Sequence, residues 1–529
     1  MKLSKDEILK KLQSRNLNDG YSKLADIPHY SLLKDIDKGA KRIADAIRNK
    51  ESLKLCADYD GDGILSCATA ISFFQDIGYP LEWTIPNRFT EGYGVSSKII
   101  DRLSSGGVLF TLDNGIVVSE EVIEKCNQNN IDLIICDHHT PGISLPNCYA
   151  IINPKRKDCE YPLKEISGCF VGWLLLCAVK HELNLDIDMR KYLDFVALST
   201  ITDIMPLMGI NRYLVQYGLK LINTMNRPFF REIALQKNIS KFTYDDLGWI
   251  LGPLLNAAGR MEDASLAVEA LLANEKEISK HIYGLFELNN LRKSLQNDMI
   301  ERAKKVAIGQ EYFIIVAIDD LHEGIVGIVA ARIAEEMGFP AIVLTLDENG
   351  LLKGSGRSVG KVNIYELIDQ NKNLLERCGG HAGACGLSLH PKNLENFTQA
   401  IKDSASKLSL DEFLPVKESF GELSLKDATL ELFYQIEEFA PFGEKNPLPV
   451  FECKEAMVIS SRAVGPDGNH VRLSLKWQDQ EVYVMAFNSD VKKYPTGTLV
   501  SFNFSLNLNE WNGNTSVQFM PIGEVRVLY

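Results

Sequence analysis

A chain of 529 residues, 45% hydrophobic and 24% charged, is too long for one core and divides into about three or four domains of ordinary size. Its net charge of −13 excludes a protein that coats nucleic acid through a global basic field, since such binding is mostly phosphate neutralisation, so any nucleic-acid contact has to use a local basic groove. The residues after Met1 form no apolar leader, and no apolar run approaches the ~20 residues of a bilayer span, so no membrane association is expected and the cytoplasm is the expected compartment.

In chain order, residues 1–48 set Ile8, Leu9 and Leu12, then Ile36, Ala40, Ile43, Ala44 and Ile47, at helical spacing and predict a helical entry segment. Over 49–215, apolar strands at 53–57, 107–112, 133–136 and 150–152 alternate with helices at 66–77, 120–128, 170–183 and 191–201, a pattern that predicts a parallel sheet covered on both faces. Residues 216–308 form a helical linker, in which Leu271, Ile278, Ile282, Leu285, Leu288, Leu295, Met299 and Val306 predict one long connector helix. Residues 309–410 return to alternation, with strands at 312–318 and 341–346 and helices at 325–337, 365–370 and 394–408, and predict a second, smaller α/β domain. From 411 to 529 the period changes to two, as in Val471/Leu473/Leu475/Trp477, Val482/Val484/Ala486, Val500/Phe502/Phe504/Leu506 and Val517/Phe519, with a turn at 511–514. Short alternating strands of this kind predict a small barrel of the OB type. No repeat and no low-complexity tract interrupts this order.

The chemistry concentrates where apolar runs end. Asp58, Asp60 and Asp62 follow the first predicted strand, and in open parallel sheets ligands bind at the carboxyl ends of strands. Three carboxylates spaced i, i+2, i+4 in a buried loop cannot all stay ionised without a cation between them. Read alone, the same residues are equally a solvated Asx turn with Gly61 and Gly63. Asp113, the run Asp137-His138-His139 and Asp203, each after its own apolar run, turn the reading toward a metal centre. Carboxylates with one imidazole suit Mn²⁺ or Mg²⁺, whereas zinc prefers more nitrogen or sulfur. The eleven cysteines are scattered, several lie within apolar runs and no Cys-x-x-Cys pair occurs, so they read as reduced thiols.

Gly354-Ser355-Gly356-Arg357-Ser358 offers backbone amides, a hydroxyl and a guanidinium, a set that suits a phosphate; it is also an ordinary composition for a polar turn. Arg88 and Arg260, taken singly, are either phosphate contacts or ion-paired surface arginines. His322 reads as a capping residue or a nucleic-acid contact, and Arg292, Lys293, Arg302, Lys304 and Lys305 as a strand-sized channel or a solvated face. Trp477, Trp511 and the barrel phenylalanines are either core or base-stacking platforms.

The ordered series Asp58-Tyr-Asp-Gly-Asp-Gly63, Ile85-Pro-Asn-Arg-Phe-Thr-Glu-Gly-Tyr-Gly94, Asp137-His-His139, Ile152-Asn-Pro-Lys-Arg156, the run 251–261, His322-Glu-Gly-Ile-Val-Gly327, Gly354-Ser-Gly-Arg-Ser358 and Gly379-Gly-His381 resembles the DHH phosphoesterase superfamily, and within it the single-strand-specific 5′-to-3′ DNA exonucleases. The resemblance spans nearly the whole chain. It implies a parallel-sheet DHH domain, a long connector helix, a smaller α/β DHHA1-type domain and a C-terminal OB-like β-barrel. It implies two divalent cations, Mn²⁺ or Mg²⁺, with Asp58 and Asp60 on one, Asp62, His138 and Asp203 on the other, and Asp113 bridging them. His139 is implied as a substrate-phosphate contact or proton donor, with support of the metal site as the other reading; Asp113, His138 and His139 form the catalytic set. Arg88, Arg260, Ser355, Arg357 and His381 are implied to bind substrate phosphate, and a pocket for the 5′ phosphate would set the polarity of digestion.

The implied setting is DNA repair and recombination, with the first domain cutting, the second gripping and the barrel guiding single-stranded DNA. The implied partners are single-strand-binding protein and a helicase, acting on a monomer. The pattern departs at Gly61, where alanine is usual, at Asn114, where cysteine is common, and at Thr202, where alanine is usual; a further C-terminal domain found in some relatives is not expected. Two alternatives are a DHH phosphodiesterase acting on short oligonucleotides or cyclic dinucleotides, and an inactive relative that only binds DNA or a replication partner.

Overall fold

The computed structural model describes residues 2–414, 419–465, 468–511 and 513–528, and for Glu510 and Trp511 the backbone only. The chain divides into two compact units. The larger holds residues 28–205 and those from 214 to 414; the smaller holds residues up to 27, residues 206–213 and the described residues after 418.

In the larger unit, α1 (Ile36–Asn49) precedes a five-stranded parallel sheet of β1 (Leu53–Ala57), β2 (Glu82–Thr84), β3 (Val108–Leu112), β4 (Asp132–Cys136) and β5 (Ala150–Ile152), in the order β2-β1-β3-β4-β5. The helices are α2 (Gly61–Asp76), α3 (Ser97–Arg102), α4 (Glu120–Gln128), α5 (Gly168–Glu182) and α6 (Leu193–Thr202). One sheet face packs Cys56, Leu109, Leu133 and Ile135 against Ile99 and Ile100 of α3 and Val122 and Cys126 of α4. The other meets α1 and α5 so closely that a Cβ on Gly39 would lie 3.0 Å from Ile152 and one on Gly172 2.9 Å from Leu112. Burial on both faces explains why the strands read as continuous apolar runs. The strand order reverses between β1 and β3, so the crevice at their carboxyl ends is the topological switch point where such sheets place their ligands.

Helix α2 starts at Gly61, five residues before the expected 66, because the Asp60 carboxylate caps it by accepting the amides of Asp62 (3.0 Å) and Gly63 (3.1 Å). After α7 (Gly252–Met261), the expected single connector is instead two helices, α8 (Ser265–Leu272) and the 30-residue α9 (Ile278–Ala307). The break before α9 is made by Asn274, whose side chain accepts from the Lys276 amide and donates to Glu277.

Downstream lie β6 (Ile314–Ala317), α10 (Val326–Met337), β7 (Ala341–Leu346), β8 (Leu352–Arg357), α11 (Ile364–Asp369), β9 (Arg377–His381), β10 (Ala384–Leu389) and α12 (Leu394–Ala405), with sheet order β9-β10-β8-β7-β6. Alternate residues divide between two cores: Ile314, Val316, Ala341 and Val343 face the end of α9 and α10, and Ile315, Ile342 and Leu344 face α11 and α12.

In the smaller unit, β11 (Gly421–Leu423), β12 (Phe451–Val464), β13 (His470–Trp477), β14 (Gln480–Ala486), β15 (Leu499–Trp511) and β16 (Asn514–Leu528) form a sheet that β12 closes by pairing with β15. Trp477, 2% exposed, packs edge-on against Phe502, Phe504 and Phe519 and is core rather than a stacking platform. The side chain of Trp511, and Asn512 in the expected turn, lie outside the described residues. The N-terminal strand Lys2–Leu3 pairs with β11, and the helix Lys5–Gln13 reaches Glu431 through Lys5 at 2.6 Å. The expected entry segment 1–48 therefore divides between the two units, its first helix on the barrel side and α1 on the catalytic sheet. Among the described residues no helix is long and apolar enough to cross a membrane, and the cysteines are free thiols.

Candidate metal centre

The acidic residues converge at the switch point. Asp58 leaves β1, Asp60 caps α2 and Asp62 lies in its first turn; Asp113 leaves β3, His138 follows β4, and Asp203 caps the carboxyl end of α6. Ligand atoms of Asp58, Asp60 and Asp113 lie within 4.8 Å of one another, as do those of Asp62, His138 and Asp203, and those of Asp113, His138 and His139. Asp113 and His138 thus join the groups. The His138 Nε2 lies 3.1 Å from Asp113, 3.5 Å from Asp203 and 3.7 Å from Asp62.

The hydrogen bonding tests whether these residues fit a cation. Both oxygens of Asp113, Nε2 of His138 and one oxygen of Asp203 are buried and without a hydrogen-bond partner. Buried polar groups are ordinarily satisfied, so four orphaned atoms facing one point describe a coordination shell. The His138 Nδ1 lies 2.8 Å from the Ile166 carbonyl, which can only accept. That bond places the proton on Nδ1 and leaves the Nε2 lone pair for a metal. Burial also pulls the His138 pKa down, which keeps the ring neutral. Burial pushes the Asp58 and Asp113 carboxyls well above their ordinary range, and neighbouring carboxylates add to the shift: Asp60 for Asp58, and Asp62, Asp60, Asp58 and Asp203 for Asp113. Asp203 is pushed up to about 9, by burial first and then by Asp62 and Asp60. Without a cation this set holds protons; with one, the same crowding favours binding.

Unlike Asp113, Asp62 is held by distant parts of the chain. Its carboxylate accepts from the amides of Gly168 (2.6 Å) and Cys169 (2.9 Å) at the start of α5 and from the Ser199 hydroxyl (2.6 Å) on α6. Asp113 adopts a left-handed backbone, φ 63°, and a Cβ on Gly168 would approach it to 2.6 Å. Glycine at 168 therefore gives Asp113 its room.

Asp137 does not face the cluster. Its carboxylate accepts from the amides of Ile116, His138 and His139 and lies 2.8 Å from the His139 Nδ1. It ties the loops after β3 and β4 together. His139 is half-exposed; burial works against its charge, but the bond to Asp137 and the charges of Asp137, Asp58 and Asp60 hold its pKa up to about 9. A ring protonated at neutral pH fits a phosphate contact or proton donor. The sequence motifs contained Asp137 and Asn256 but gave them no role, although the Asn256 side chain accepts from the Gly61 amide at 3.1 Å, and Ser199 and Gly168 carried no sequence signal at all.

The departures at Gly61 and Thr202 are linked. A Cβ at 61 would lie 3.2 Å from Thr202 and 3.2 Å from Asn256, so the smaller residue at 61 accommodates the larger one at 202. Asn114 donates to the carbonyls of Cys56 and Leu112 and laces β1 to β3 beside the site.

A second cluster adjoins the first. Burial and the charges of Arg88, Arg292 and Arg357 pull the Arg260 pKa down to about 10, while Asp60 acts in the opposite sense. Arg357 is likewise lowered, by burial and then by Arg88. Like charges gathered in a partly buried space call for an anion. Arg88 lies over the Tyr59 ring at 4.6 Å and donates to the Gly324 carbonyl at 3.3 Å. Arg357 donates to the Ser355 hydroxyl at 2.6 Å, and a Cβ on Gly327 would come within 2.8 Å of its guanidinium.

The expected phosphate set at 354–358 is corrected in one part: residues 354–357 lie in β8, between β7 and β10, so their amides serve the sheet ladders and only the Ser355 and Arg357 side chains are available to a phosphate. Gly379-Gly-His381 is likewise a strand, β9, and exposed His381 lies in the cross-strand row Arg357–Ala384–His381, separated from Arg357 by β10. His322 caps the turn Glu323–Ile325, its ring accepting from the Gly324 amide. Of the proposed channel, Arg302 and Lys304 are ion-paired with Asp298, Asp320, Glu301 and Glu336, whereas Arg292 contributes its charge to the arginine cluster.

Comparison with known proteins assigns this architecture. The profile described as DHH family, N-terminal domain, matches residues 53–200, the DHHA1 domain residues 310–407 and the RecJ OB domain residues 421–522. The single-stranded-DNA-specific exonuclease RecJ of Haemophilus influenzae is 31% identical over 517 residues, covering 92% of this chain and 89% of that protein. The RecJ of Bacillus subtilis is 30% identical over 500 residues, and the match covers 92% of this chain but only 63% of the relative's length. The crystal structure of RecJ from Thermus thermophilus in complex with Mn²⁺ superposes with a TM-score of 0.80 at 26% identity, over 93% of this chain and 72% of that one. The α/β domains and terminal barrel expected from the sequence are those of these relatives, and the chain belongs to the RecJ family of the DHH superfamily.

Proposed function

We propose that the chain is a single-strand-specific DNA exonuclease that digests from the 5′ end. The observation that carries this reading is the set of arginines beside the metal loop: Arg88 packs over Tyr59, between Asp58 and Asp60, and reaches the Gly324 carbonyl, and Gly324 lies against the Arg260 backbone, so an anion site adjoins the scissile position. A terminal phosphate held there sets the cut at the next phosphodiester, which is the geometry of an end-directed enzyme. Contacts to phosphate carry no base information, so digestion is indifferent to sequence.

Asp58, Asp60, Asp62, Asp113, His138 and Asp203 would hold two divalent cations, Mn²⁺ or Mg²⁺, which supply acidification of the attacking water and neutralisation of charge on the scissile phosphate. The protein's own residues do the rest. Ile166 fixes the His138 tautomer, Ser199 and the start of α5 orient Asp62, and Asp137 keeps His139 charged for the phosphate or the leaving oxygen. Arg88, Arg260, Arg357 and Ser355 grip the terminal phosphate, with His381 farther along the same sheet face. The barrel, matched to the RecJ OB domain, fits a single-strand-binding module. Repair and recombination are the proposed setting, in the cytoplasm, as a monomer with single-strand-binding protein and a helicase as partners.

The test compares a long 5′-phosphorylated single strand with a dinucleotide, using the wild type and Asp113→Ala in Mn²⁺. The long strand is expected to be degraded by the wild type and spared by the variant. Hydrolysis of the dinucleotide alone would replace this reading by that of a small-substrate phosphodiesterase, and undiminished hydrolysis by Asp113→Ala would remove the enzyme assignment of this site.

A further inference from the structure

Trp249 is 80% exposed, the most exposed of the described tryptophans, and it lies in a π-helical turn, Leu247–Leu251, that runs without a break into α7. Single exposed apolar side chains are ordinary on a protein surface, but π-turns inside helices are frequently found at functional sites, and that setting singles this indole out. The burial pattern of this rod shows where the contact points. Leu247, Leu251, Gly252, Leu254, Leu255, Ala257, Ala258 and Gly259 are buried, Gly248 and Ile250 flank the indole half-buried, and one row runs from exposed Trp249 through half-buried Pro253, Asn256 and Arg260. Spaced i, i+4, i+7 and i+11, these four form one stripe along the rod.

The stripe has already been placed at two points. Asn256 accepts from the Gly61 amide and so stands at the level of the metal loop, and Arg260 belongs to the arginine cluster. At about 1.5 Å per residue, Arg260 lies about 6 Å to one side of Asn256 and Trp249 about 10 Å to the other. The order along the stripe is therefore terminal phosphate grip, metal centre, exposed indole.

We propose that Trp249 is a stacking platform for a base of the substrate strand on the 3′ side of the scissile bond, so that the strand is held on both sides of the cut. This assignment rests on the exonuclease reading for the direction of the strand. Stacking is available to every base, so it adds affinity for a polymer without adding sequence preference.

The test is the affinity of the full chain for a 5′-phosphorylated, 3′-labelled single strand, read by fluorescence anisotropy in EDTA at fixed salt, with abasic sites placed at successive positions from the 5′ end. In the wild type one abasic position is expected to weaken binding sharply. Trp249→Ala is expected to bind the intact strand about tenfold more weakly and to lose that positional sensitivity, and Trp249→Phe to recover both. A flat abasic profile in the wild type, or equal affinity of Trp249→Ala and wild type, overturns the proposal. Strand cleavage in Mn²⁺ is followed in parallel: binding with the expected profile but no cleavage defeats the exonuclease reading alone, and cleavage with an indifferent Trp249 defeats the stacking proposal alone.

Discussion

Asp113 and Asp137 sit at equivalent strand ends and are both almost fully buried, yet their neighbours give them opposite work. Asp137 spends its oxygens on three amides and the His139 ring, whereas Asp113 has no hydrogen-bond donor on either oxygen. Removing charge from the organiser should therefore be felt at the metal: Asp137→Asn is expected to weaken Mn²⁺ binding about 10- to 100-fold, measured by calorimetry, with the fold intact by circular dichroism. An unchanged affinity would show that the loops after β3 and β4 hold themselves. The six proposed ligands were legible because each follows an apolar run, so a buried strand or helix end could be inferred just before it. Ser199 and Gly168 were not legible, because they act across more than fifty residues of chain and have no local pattern, and Asn256 stood in a motif whose contact with the Gly61 amide no spacing discloses. The unusual Gly61 could be seen in the sequence, but its reason, the bulk of Thr202, could not.

Elements were readable where their period was clean. Strands β1, β3, β4 and β5 of the parallel sheet and helix α4 stand close to where apolar runs predicted them; β2, three partly exposed residues, was missed, and other errors fell where a side chain overrides the period: Asp60 starts α2 early, and Asn274 divides the connector. Strand β12 was missed because its pairing slips between Cys453 and Ala456 and again between Val458 and Ser460, which breaks the alternation of two. Strand β8 was not recognised as a strand because glycines fill it; they are there because a Cβ at 354 or 356 would strike β7 or Cys385. Its position in mid-sheet puts the phosphate grip on a rigid platform and leaves recognition to side chains. Arg357→Lys retains the charge but not the planar fork, so it is expected to raise KM for a 5′-phosphorylated strand about tenfold while kcat changes little. An equal loss on strands with and without the 5′ phosphate would move Arg357 from the terminal phosphate to another role.

At the scale of the molecule, the metal centre is a store of buried charge that the fold cannot neutralise by itself. In the metal-free chain Asp203 holds its proton up to about 9, against an ordinary value of 3.8. A carboxyl raised in this way stabilises the folded state fully below the unfolded value and loses that contribution as pH rises through the folded one. The metal-stripped protein is thus expected to show a Tm that falls between pH 5 and 9 in excess of the metal-loaded protein, with Mn²⁺ restoring stability most at the alkaline end. Parallel Tm profiles with and without Mn²⁺ would show that the cluster is not the cation site. The account as a whole turns on the order of the parts: terminal phosphate at the arginines, cut at the acidic cluster, strand continuing beyond. The most direct measurement is a time course in Mn²⁺ on single strands labelled at the 5′ or the 3′ end, with and without a 5′ phosphate. Early release of 5′-labelled mononucleotide, faster with the phosphate, is the predicted result; early release of 3′-labelled mononucleotide would contradict it.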